Sequence, residues 1–338
     1  MKSGGNRGRR AFMAGGACAL GAVAAPTYLR AQTQRIPINI VNTQGNASVT
    51  VQELMKRAGY MQEFGLEPKY TYVVDGSRIM GSLLSGENDM CIFSGISQVL
   101  TAAEKGARLR LLAGALVKLQ HTVYSSRPAI KSIKDLAGKT IATGSVGALL
   151  HAMIIDALRK NGVDEKSVRF VNIGSAPDVF RAVAAGTVDA GPAEADAPEQ
   201  YGKYGVHVLE GGELYKELPL FTFQASYASE RAIAQKRDAM VRTLAAYAKL
   251  YRYLDSEASK DAYVSAQTAV LPKIEPAAAA WQWKFFRDSG IYATDLVISP
   301  ERVEYLQKLN VSLEVQKRIL PYEDVTDMSL ARDALKLL

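Results

Sequence analysis

The chain has 338 residues, of which 48% are hydrophobic and 22% charged, and its formal net charge is +7. This composition is typical of a soluble globular protein, and the length suits two lobes better than a single hydrophobic core. No basic tail or dense Lys/Arg cluster lies beyond residue 31, which argues against nucleic acid or a membrane surface as the partner.

Residues 1–31 predict a cleavable export signal. A basic head without acids, residues 2–10, precedes a short alanine-rich apolar run, residues 11–25, that is too short to anchor the chain in a bilayer. Residues 9–13, Arg-Arg-Ala-Phe-Met, resemble a twin-arginine signal. Removal of the signal takes away five basic residues and reduces the net charge from +7 to +2.

The two cysteines predict neither a disulfide nor a lipid anchor. Cys18 lies in the signal, and the residues before it, 15–17, lack the large aliphatic side chain of a lipidation site. Cys91 is then alone in the exported chain, and a single cysteine in an apolar strand is usually a small buried hydrophobic residue.

From residue 36 onwards, strand patterns alternate with helix patterns. Repeated βα units imply a mostly parallel sheet with right-handed crossovers and both faces covered. Ligands of open α/β sheets bind at the carboxyl edge of the strands, where the polar and glycine-containing turns lie. The predicted strands of this first series are residues 36–41, 70–74, 89–93 and 109–116, and the predicted helices are 47–61, 78–84 and 96–105.

A strand of a different kind, residues 121–125, precedes a second βα series. A long helical tail begins at residue 230. The strands predicted in this part are residues 139–143, 169–173, 187–190, 206–209 and 220–226. The helices predicted there are 149–158, 176–185, 230–254, 259–270, 277–287 and 300–309.

The turn at residues 144–147, Gly-Ser-Val-Gly, joins a buried strand to an apolar helix. The first N–H groups of that helix point at the turn and suit an anion or a polar ligand oxygen. A tight turn in which Ser145 caps the helix explains the same residues.

Three segments carry a resemblance to a known family. They are SLLSGENDMCIFSG (82–95), IKDLAGKTIATGSVGALLHAMIIDALRKNGVD (133–164) and AVAAGTVDAGPAEADAP (182–198). Their order and spacing resemble the periplasmic substrate-binding proteins of ABC importers, in the group that binds sulfonates, taurine, nitrate and thiamine precursors. The resemblance covers the chain from about residue 36 to its end.

The resemblance implies an α/β fold of two lobes, the type 2 periplasmic-binding-protein fold, with a helical C-terminal tail. Lobe one would be residues 36–122 plus 221–338, and lobe two residues 123–220, with chain crossings near 121–125 and 219–222. It also implies a periplasmic, monomeric solute-binding protein whose partners are a small polar solute and a membrane permease, with no cofactor and no nucleic acid.

In such a fold the turns at the strand ends line the cleft between the lobes. The residues that we expect to bind ligand on lobe one are Asn42, Thr43, Gln44, Asp75, Gly76, Ser94 and Gly95. Those on lobe two are Gly144, Ser145, Val146, Ser175, Pro192 and Glu194. Local structure explains several of them equally well, since Ser94 and Ser175 suit helix caps and Glu194 suits the first turn of a helix.

The charge of the ligand stays open at this point. Serine turns and helix N-termini suit a sulfonate, carboxylate or nitrate oxygen. Asp75 and Glu194 would repel an anion if both face the cleft, and they suit an amine or a protonated ring nitrogen instead.

Two other functions are alternatives: an enzyme on the same fold that acts on a thiamine pyrimidine precursor, and a ligand-binding partner of a membrane sensor. The three histidines, His121, His151 and His207, lack metal-binding spacing, and the chain contains neither a G-x-S-x-G motif nor a P-loop. A cysteine cluster that could hold iron is also missing. We therefore expect no catalytic residues and no metal site.

Overall fold

The computed structural model describes residues 35–73 and 76–338. The predicted export signal with Cys18, and the predicted ligand residue Asp75, lie outside these ranges. Within them, no helix combines the length and the apolarity that a membrane crossing requires.

Ten strands lie in the described residues, and they alternate with helices in the order that the sequence predicts. The strands are β1 (Ile36–Thr43), β2 (Leu66–Val73), β3 (Met90–Ser94), β4 (Leu109–Leu116), β5 (His121–Ser125), β6 (Thr140–Thr143), β7 (Arg169–Asn172), β8 (Ala190–Glu194), β9 (His207–Glu213) and β10 (Gln224–Ser229).

Fourteen α-helices and three short 3-10 helices occur in the same described residues. The α-helices are α1 (Asn46–Ala58), α2 (Tyr60–Glu63), α3 (Gly76–Ser85), α4 (Ser97–Glu104), α5 (Leu149–Lys160), α6 (Ala176–Ala184), α7 (Pro198–Gly202), α8 (Leu214–Glu217), α9 (Glu230–Leu254), α10 (Lys260–Val270), α11 (Pro276–Ser289), α12 (Pro300–Ser312), α13 (Tyr322–Val325) and α14 (Ser329–Leu335). The 3-10 helices are Ile133–Leu136, Glu165–Ser167 and Glu257–Ser259.

The described strands form two five-stranded sheets, each the centre of one lobe. Their orders are β2-β1-β3-β10-β4 in the first lobe and β7-β6-β8-β5-β9 in the second. In each sheet four strands run parallel and one, β10 or β5, runs antiparallel to both of its neighbours. The predicted α/β class with two mostly parallel sheets is therefore confirmed.

Two connections carry the chain between the sheets. The first follows β4, which ends at Leu116, and leads into β5 at His121. The second follows α8, which ends at Glu217, and leads into β10 at Gln224. The predicted lobe boundaries, between residues 122 and 123 and between residues 220 and 221, fall close to these connections. The exact boundary residues stay a prediction.

The long helix α9 spans residues 230–254, as predicted, but a kink at Lys236, with φ of −132° and ψ of 27°, divides it into two helical segments. Its first turn is capped by the Ser229 hydroxyl, which accepts the N–H of Ala232 at 3.3 Å. Its buried face packs on the first sheet, where the rings of Tyr247 and Tyr251 lie 5.8 and 6.4 Å from the ring of Phe93. Edge-to-face aromatic packing of this kind fixes the helix on the sheet.

Strand β8 corrects the sequence prediction, which placed a strand at residues 187–190 and a turn after it. The strand begins at Ala190 and includes both Gly191 and Pro192. Proline is tolerated here because the pairing of β8 with β6 stops at Ala190, so no partner in β6 needs its missing N–H. Pro192 instead lies opposite Val123 of β5.

Several other boundaries differ from the prediction; strand β2, for example, begins at Leu66 rather than at residue 70. The helix predicted at residues 47–61 breaks after Ala58, because Gly59 adopts a left-handed conformation with φ of 67°. Strand β9 continues through Gly211 and Gly212, where we expected a loop. Strand β10 begins at Gln224 rather than at residue 220, since the preceding residues form the second connection.

Replacing Gly191 with alanine is expected to lower the free energy of unfolding by about 1–3 kcal/mol, because the core has no room for the methyl group. That group would lie 2.5 Å from Cγ1 of Val179 and 3.0 Å from the carbonyl oxygen of Ala142. Urea denaturation measures the loss. The control is Gly81→Ala, whose methyl group meets nothing within 4 Å, and which should leave stability unchanged or raise it by up to about 1 kcal/mol. Equal stability of the two variants would contradict this packing.

Candidate functional site

One edge of each sheet contains the carboxyl ends of parallel strands together with the amino end of the antiparallel strand. In the first lobe Thr43 ends β1 and Ser94 ends β3, while Gln224 begins the antiparallel strand β10. In the second lobe Glu194 ends β8, and His121 begins β5 directly opposite it. The antiparallel strands thus bring the residues of the two connections to the same edges as the carboxyl ends of the parallel strands.

Glu194 is contacted from both sides of the cleft. Its Oε2 accepts Nδ2–H of Asn46, on the first lobe, at 3.5 Å, and its Oε1 accepts Nε2–H of Gln120, in the first connection, at 3.4 Å. Both distances are long for hydrogen bonds, so each contact is weak. In the described part of the chain no Lys or Arg forms an ion pair with this carboxylate.

The surroundings of Glu194 disfavour its charged form. Burial raises the pKa of Glu194, the nearby Asp196 raises it further, and the Asn46 amide lowers it. Burial also raises the pKa of Asp196. Two carboxylates with raised pKa values in one cleft are typical of a functional site rather than of a surface that is optimised for stability.

The two connections contain four buried polar atoms that have no hydrogen-bond partner in the described residues. They are Oε1 of Gln120, Nδ1 of His121, Oγ1 of Thr222 and Oε1 of Gln224. None of the four residues is more than 8% exposed. Buried polar groups in native proteins are nearly always paired, and leaving one unpaired costs about 1–3 kcal/mol. Other such atoms lie elsewhere in the described residues, for example in Gln52 and Tyr292, but these four lie where the chain passes between the lobes, which indicates a site for a polar molecule.

Neighbouring contacts hold these side chains in place. Gln224 donates through Nε2 to Oγ1 of Thr43 at 3.4 Å, and that hydroxyl donates to the carbonyl oxygen of Phe93 at 2.8 Å. The ring of His121 lies edge-on to Phe223, with centroids 5.2 Å apart. Burial lowers the pKa of His121 to about 4. At neutral pH this imidazole is therefore uncharged and offers one donor and one acceptor.

Three cavities meet at Asn46 and Glu194. One of about 230 Å³ lies between them and is bounded by both lobes. Asn46 also lines a cavity of about 980 Å³ on the first lobe, and Glu194 lines one of about 790 Å³ on the second. Asn46 and Glu194 therefore border cavities on both lobes as well as the one between them.

Of the residues predicted on the first lobe, Thr43 and Gln44 lie at the cleft. Thr43 contacts Gln224, and the exposed Gln44 lines the cavity of about 980 Å³. Gly95 lies next to the second connection, since a methyl group on it would be 4.0 Å from the carbonyl oxygen of Phe223. Gly76 begins α3, immediately after the two residues that the structure does not describe.

Asn42 joins two strands of the first sheet. Its Oδ1 atom accepts the N–H groups of Ile92 and Phe93, both at 2.9 Å, and ties β1 to β3. Its Nδ2 atom is buried without a hydrogen-bond partner in the described residues. Ser94, the last residue of β3, is 2% exposed.

In the second lobe only Glu194, among the predicted residues, contacts the connections. Ser175 caps α6 in a reciprocal pair with Asp178, and Pro192 is buried within β8. Gly144 is buried, and a methyl group on it would lie 3.3 Å from the carbonyl oxygen of Gly174.

Ser145 and Val146 lie on a loop that faces the first lobe away from the connections. Both are exposed, and Oγ of Ser145 accepts Nδ2–H of Asn172 at 3.2 Å. A methyl group on the next residue, Gly147, would lie 2.6 Å from Cγ1 of Val315, in the segment after α12. The N–H of Gly147 donates to Nδ1 of His151 at 3.2 Å, so this donor of the predicted anion site is already used.

The sequence prediction missed five residues of the candidate site: Asn46, Gln120, His121, Thr222 and Gln224. A signal was present, because polar residues interrupt apolar ones at both predicted crossings, in LQHTV (119–123) and FTFQA (221–225). The prediction considered only the turns between strands and helices.

The burial of Cys91 and the grouping of the metal-binding residue types bear on catalytic chemistry. Cys91 is 0% exposed, and burial raises the pKa of its thiol, so it is a poor nucleophile. In residues 35–73 and 76–338 no group of three or more His, Cys, Asp and Glu could hold a metal ion.

Solved structures share the fold at low sequence identity. The periplasmic sulfonate-binding protein SsuA from Methylobacillus flagellatus has a TM-score of 0.70 and 14% identity, covering 90% of this chain and 95% of its own. The periplasmic nitrate-binding protein NrtA from Synechocystis has a TM-score of 0.66 and 13% identity, covering 90% and 89%. The desulfurization enzyme DSZB has a TM-score of 0.64 and 15% identity, covering 90% and 99%.

No curated protein sequence matches the chain. The NMT1/THI5-like family model matches residues 52–254, which is more than half of the sequence and includes β3 to β10 with both connections. The match contains most of the candidate site, from Gln120 to Gln224. The chain belongs to the NMT1/THI5-like family.

Proposed function

We propose that this protein is an extracytoplasmic solute-binding protein of an ABC importer, which closes its two lobes on a small polar solute and delivers it to a membrane permease. The observation that carries this proposal is the group of unpaired, buried polar atoms at the two connections beside Glu194. Its family and its likeness to periplasmic sulfonate- and nitrate-binding proteins support the same role.

The proposed site consists of side chains from the hinge and from both sheet edges. Gln120, His121, Thr222 and Gln224 come from the connections, and Thr43, Gln44, Asn46 and Glu194 from the lobes. The other residues predicted from the sequence, among them Ser145, stay predictions.

The positions of the unpaired polar atoms explain why a bound solute would close the two lobes. A solute that reaches both connections and Glu194 contacts the two lobes at once, and it therefore binds the closed arrangement better than the open one. Such a difference in affinity shifts the population toward closure. The weak contact between Asn46 and Glu194, at 3.5 Å, leaves the empty protein free to open.

The proposed location is the periplasm, with the predicted twin-arginine-type signal as the route of export. The protein would act as a monomer, since one chain contains both lobes and both connections. A ligand-binding partner of a membrane sensor would use the same cleft, and binding to the purified permease or sensor distinguishes the two roles.

An enzyme on this fold is the weaker alternative. The desulfurization enzyme shows that the fold accommodates catalysis. Here the thiol of Cys91 is buried, which makes it a poor nucleophile, and the pKa of His121 is lowered to about 4, which makes its imidazole a weak base.

We expect one class among small amines, pyrimidines, sulfonates, carboxylates and nitrate to raise the melting temperature of the protein and to reduce its radius of gyration. A molecule that binds only the folded chain, at a hundred times its Kd, stabilises it by about 2.7 kcal/mol. Thermal shift and small-angle scattering measure the two effects. No response to any class would count against solute binding, and stabilisation without compaction would count against closure.

Gln224→Leu is expected to weaken solute binding by at least about tenfold, or about 1.4 kcal/mol, while stability stays the same or rises. The substitution removes a buried acceptor that has no partner in the described residues and only one weak donor contact. Calorimetric titration and urea denaturation check the two effects.

The matched control is Gln316→Leu. The Gln316 amide is buried, donates to Gln307 Oε1 at 2.8 Å and to the Arg318 carbonyl at 2.7 Å, and accepts from Asn310 at 3.2 Å. Its loss should cost about 1–3 kcal/mol of stability and leave affinity unchanged. The site assignment fails if the two variants behave alike.

Glu194→Gln is expected to stabilise the empty protein at neutral pH, because it removes a carboxylate whose charged form is disfavoured by burial. Since the pKa of Glu194 is higher in the folded than in the unfolded chain, the folded chain binds the proton more tightly. The carboxylate therefore reduces stability above its folded-state pKa, and this cost disappears as the pH falls below the unfolded value of about 4.3.

Urea midpoints of wild type and variant between neutral pH and about pH 4 measure this difference. The advantage of the variant should shrink toward the acidic end. A variant that is less stable than the wild type at neutral pH would show that Glu194 is a structural residue.

A further inference from the structure

We infer that the solute is a small organic cation with several N–H donors, of the amine or amidine class, and that Glu194 is the residue that selects its charge. This inference rests on the proposed solute-binding role and specifies the ligand of the same site.

The groups that the site offers are mainly acceptors. Both carboxylate oxygens of Glu194 receive only weak amide contacts, at 3.4 and 3.5 Å. The Oε1 atoms of Gln120 and Gln224 are buried and have no donor among the described residues. A ligand that satisfies these oxygens must bring N–H groups, whereas a sulfonate, carboxylate or nitrate brings only acceptors.

The orientation of the two glutamine amides supports this assignment. Turning the Gln120 amide over would place its oxygen against the carboxylate of Glu194, two acceptors facing each other. Turning the Gln224 amide over would place its oxygen against Oγ1 of Thr43, whose proton is already donated to the carbonyl of Phe93. In both residues the amide nitrogen must face its acceptor, Glu194 or Thr43. The amide oxygen therefore points away from that acceptor and is available to a ligand.

The charge around the cavity of about 230 Å³ is negative. Three acidic side chains line it, Glu194, Asp196 and Glu275, against a single basic one, Lys273. Lys273, Asp196 and Glu275 are exposed, so their charges are screened by solvent, whereas Glu194 is half-buried between Asn46 and Gln120. A cation would relieve the repulsion between Glu194 and Asp196, and an anion would add to it.

The test compares molecules of similar shape and different charge on the full exported chain. Benzamidine and butylamine are the cations, benzamide is the neutral member, and benzoate, benzenesulfonate and butane-1-sulfonate are the anions. We expect a cation to raise the melting temperature, benzamide to have a smaller effect and the anions to have none. Calorimetric titration then gives the affinities for wild type, Glu194→Gln and Glu210→Gln.

Glu194→Gln should weaken binding of the cation by at least about tenfold, because it removes the opposite charge from an enclosed site. Glu210→Gln changes the net charge by the same amount at an exposed position of β9 and should leave the affinity within about twofold, since an exposed charge contributes little.

Three results would overturn the inference or its assignment to Glu194, and they differ in what else they overturn. If an anion binds the wild type, and binds Glu194→Gln more tightly, the charge inference is wrong while solute binding stands. If neither series alters the melting temperature, both the inference and the proposed solute-binding role fail. If Glu194→Gln and Glu210→Gln reduce the affinity for the cation equally, Glu194 does not select the charge of the ligand, and the assignment of this role to Glu194 is wrong.

Discussion

The antiparallel entry of one strand into each sheet is the constraint on which the rest of the cleft depends. After each connection the chain enters the new sheet against the direction of its neighbours, in β5 and in β10. The amino ends of these strands therefore lie among the carboxyl ends of the parallel strands. Because of this reversal His121 pairs with Glu194, and Gln224 comes within reach of Thr43. A wholly parallel pair of sheets would leave the connections at the opposite edge, away from the cavities.

This arrangement has an energetic cost that the remainder of each lobe offsets. Buried polar atoms without partners at the connections, and a carboxylate whose charged form is disfavoured, each lower the stability of the empty protein. The extensive apolar core compensates, for example where α9 packs its aromatic face on the first sheet. Proteins keep such unfavourable groups where they serve binding, and the position of these atoms between the lobes therefore supports the assignment of the site.

Much of the fold was predictable from the sequence, because hydrophobic periodicity alone sets its longest elements. Strands β4 and β5 and helix α9 have the predicted bounds. Strand β8 does not, because Gly191 and Pro192 are typical of turns and become strand residues only through close packing against Val179 and Ala142. The site was less predictable. Thr43 and Glu194 lie at the cleft as expected, but Asn42 and Ser175 are used by neighbouring backbone, and the role of Gln120 depends on a strand direction that no local pattern shows.

A shared fold does not determine which ligand a protein of this group binds. Neighbours named for sulfonate and nitrate binding share the architecture at 14% and 13% identity. What they share with this chain is the architecture, and the backbone of a sheet edge does not by itself favour a cation or an anion. The preference comes from the side chains that end the strands. In this chain Glu194 stands at the end of β8 without a basic partner in the described residues. This carboxylate shifts the field in the cleft toward a cation without altering a strand or a helix of the fold.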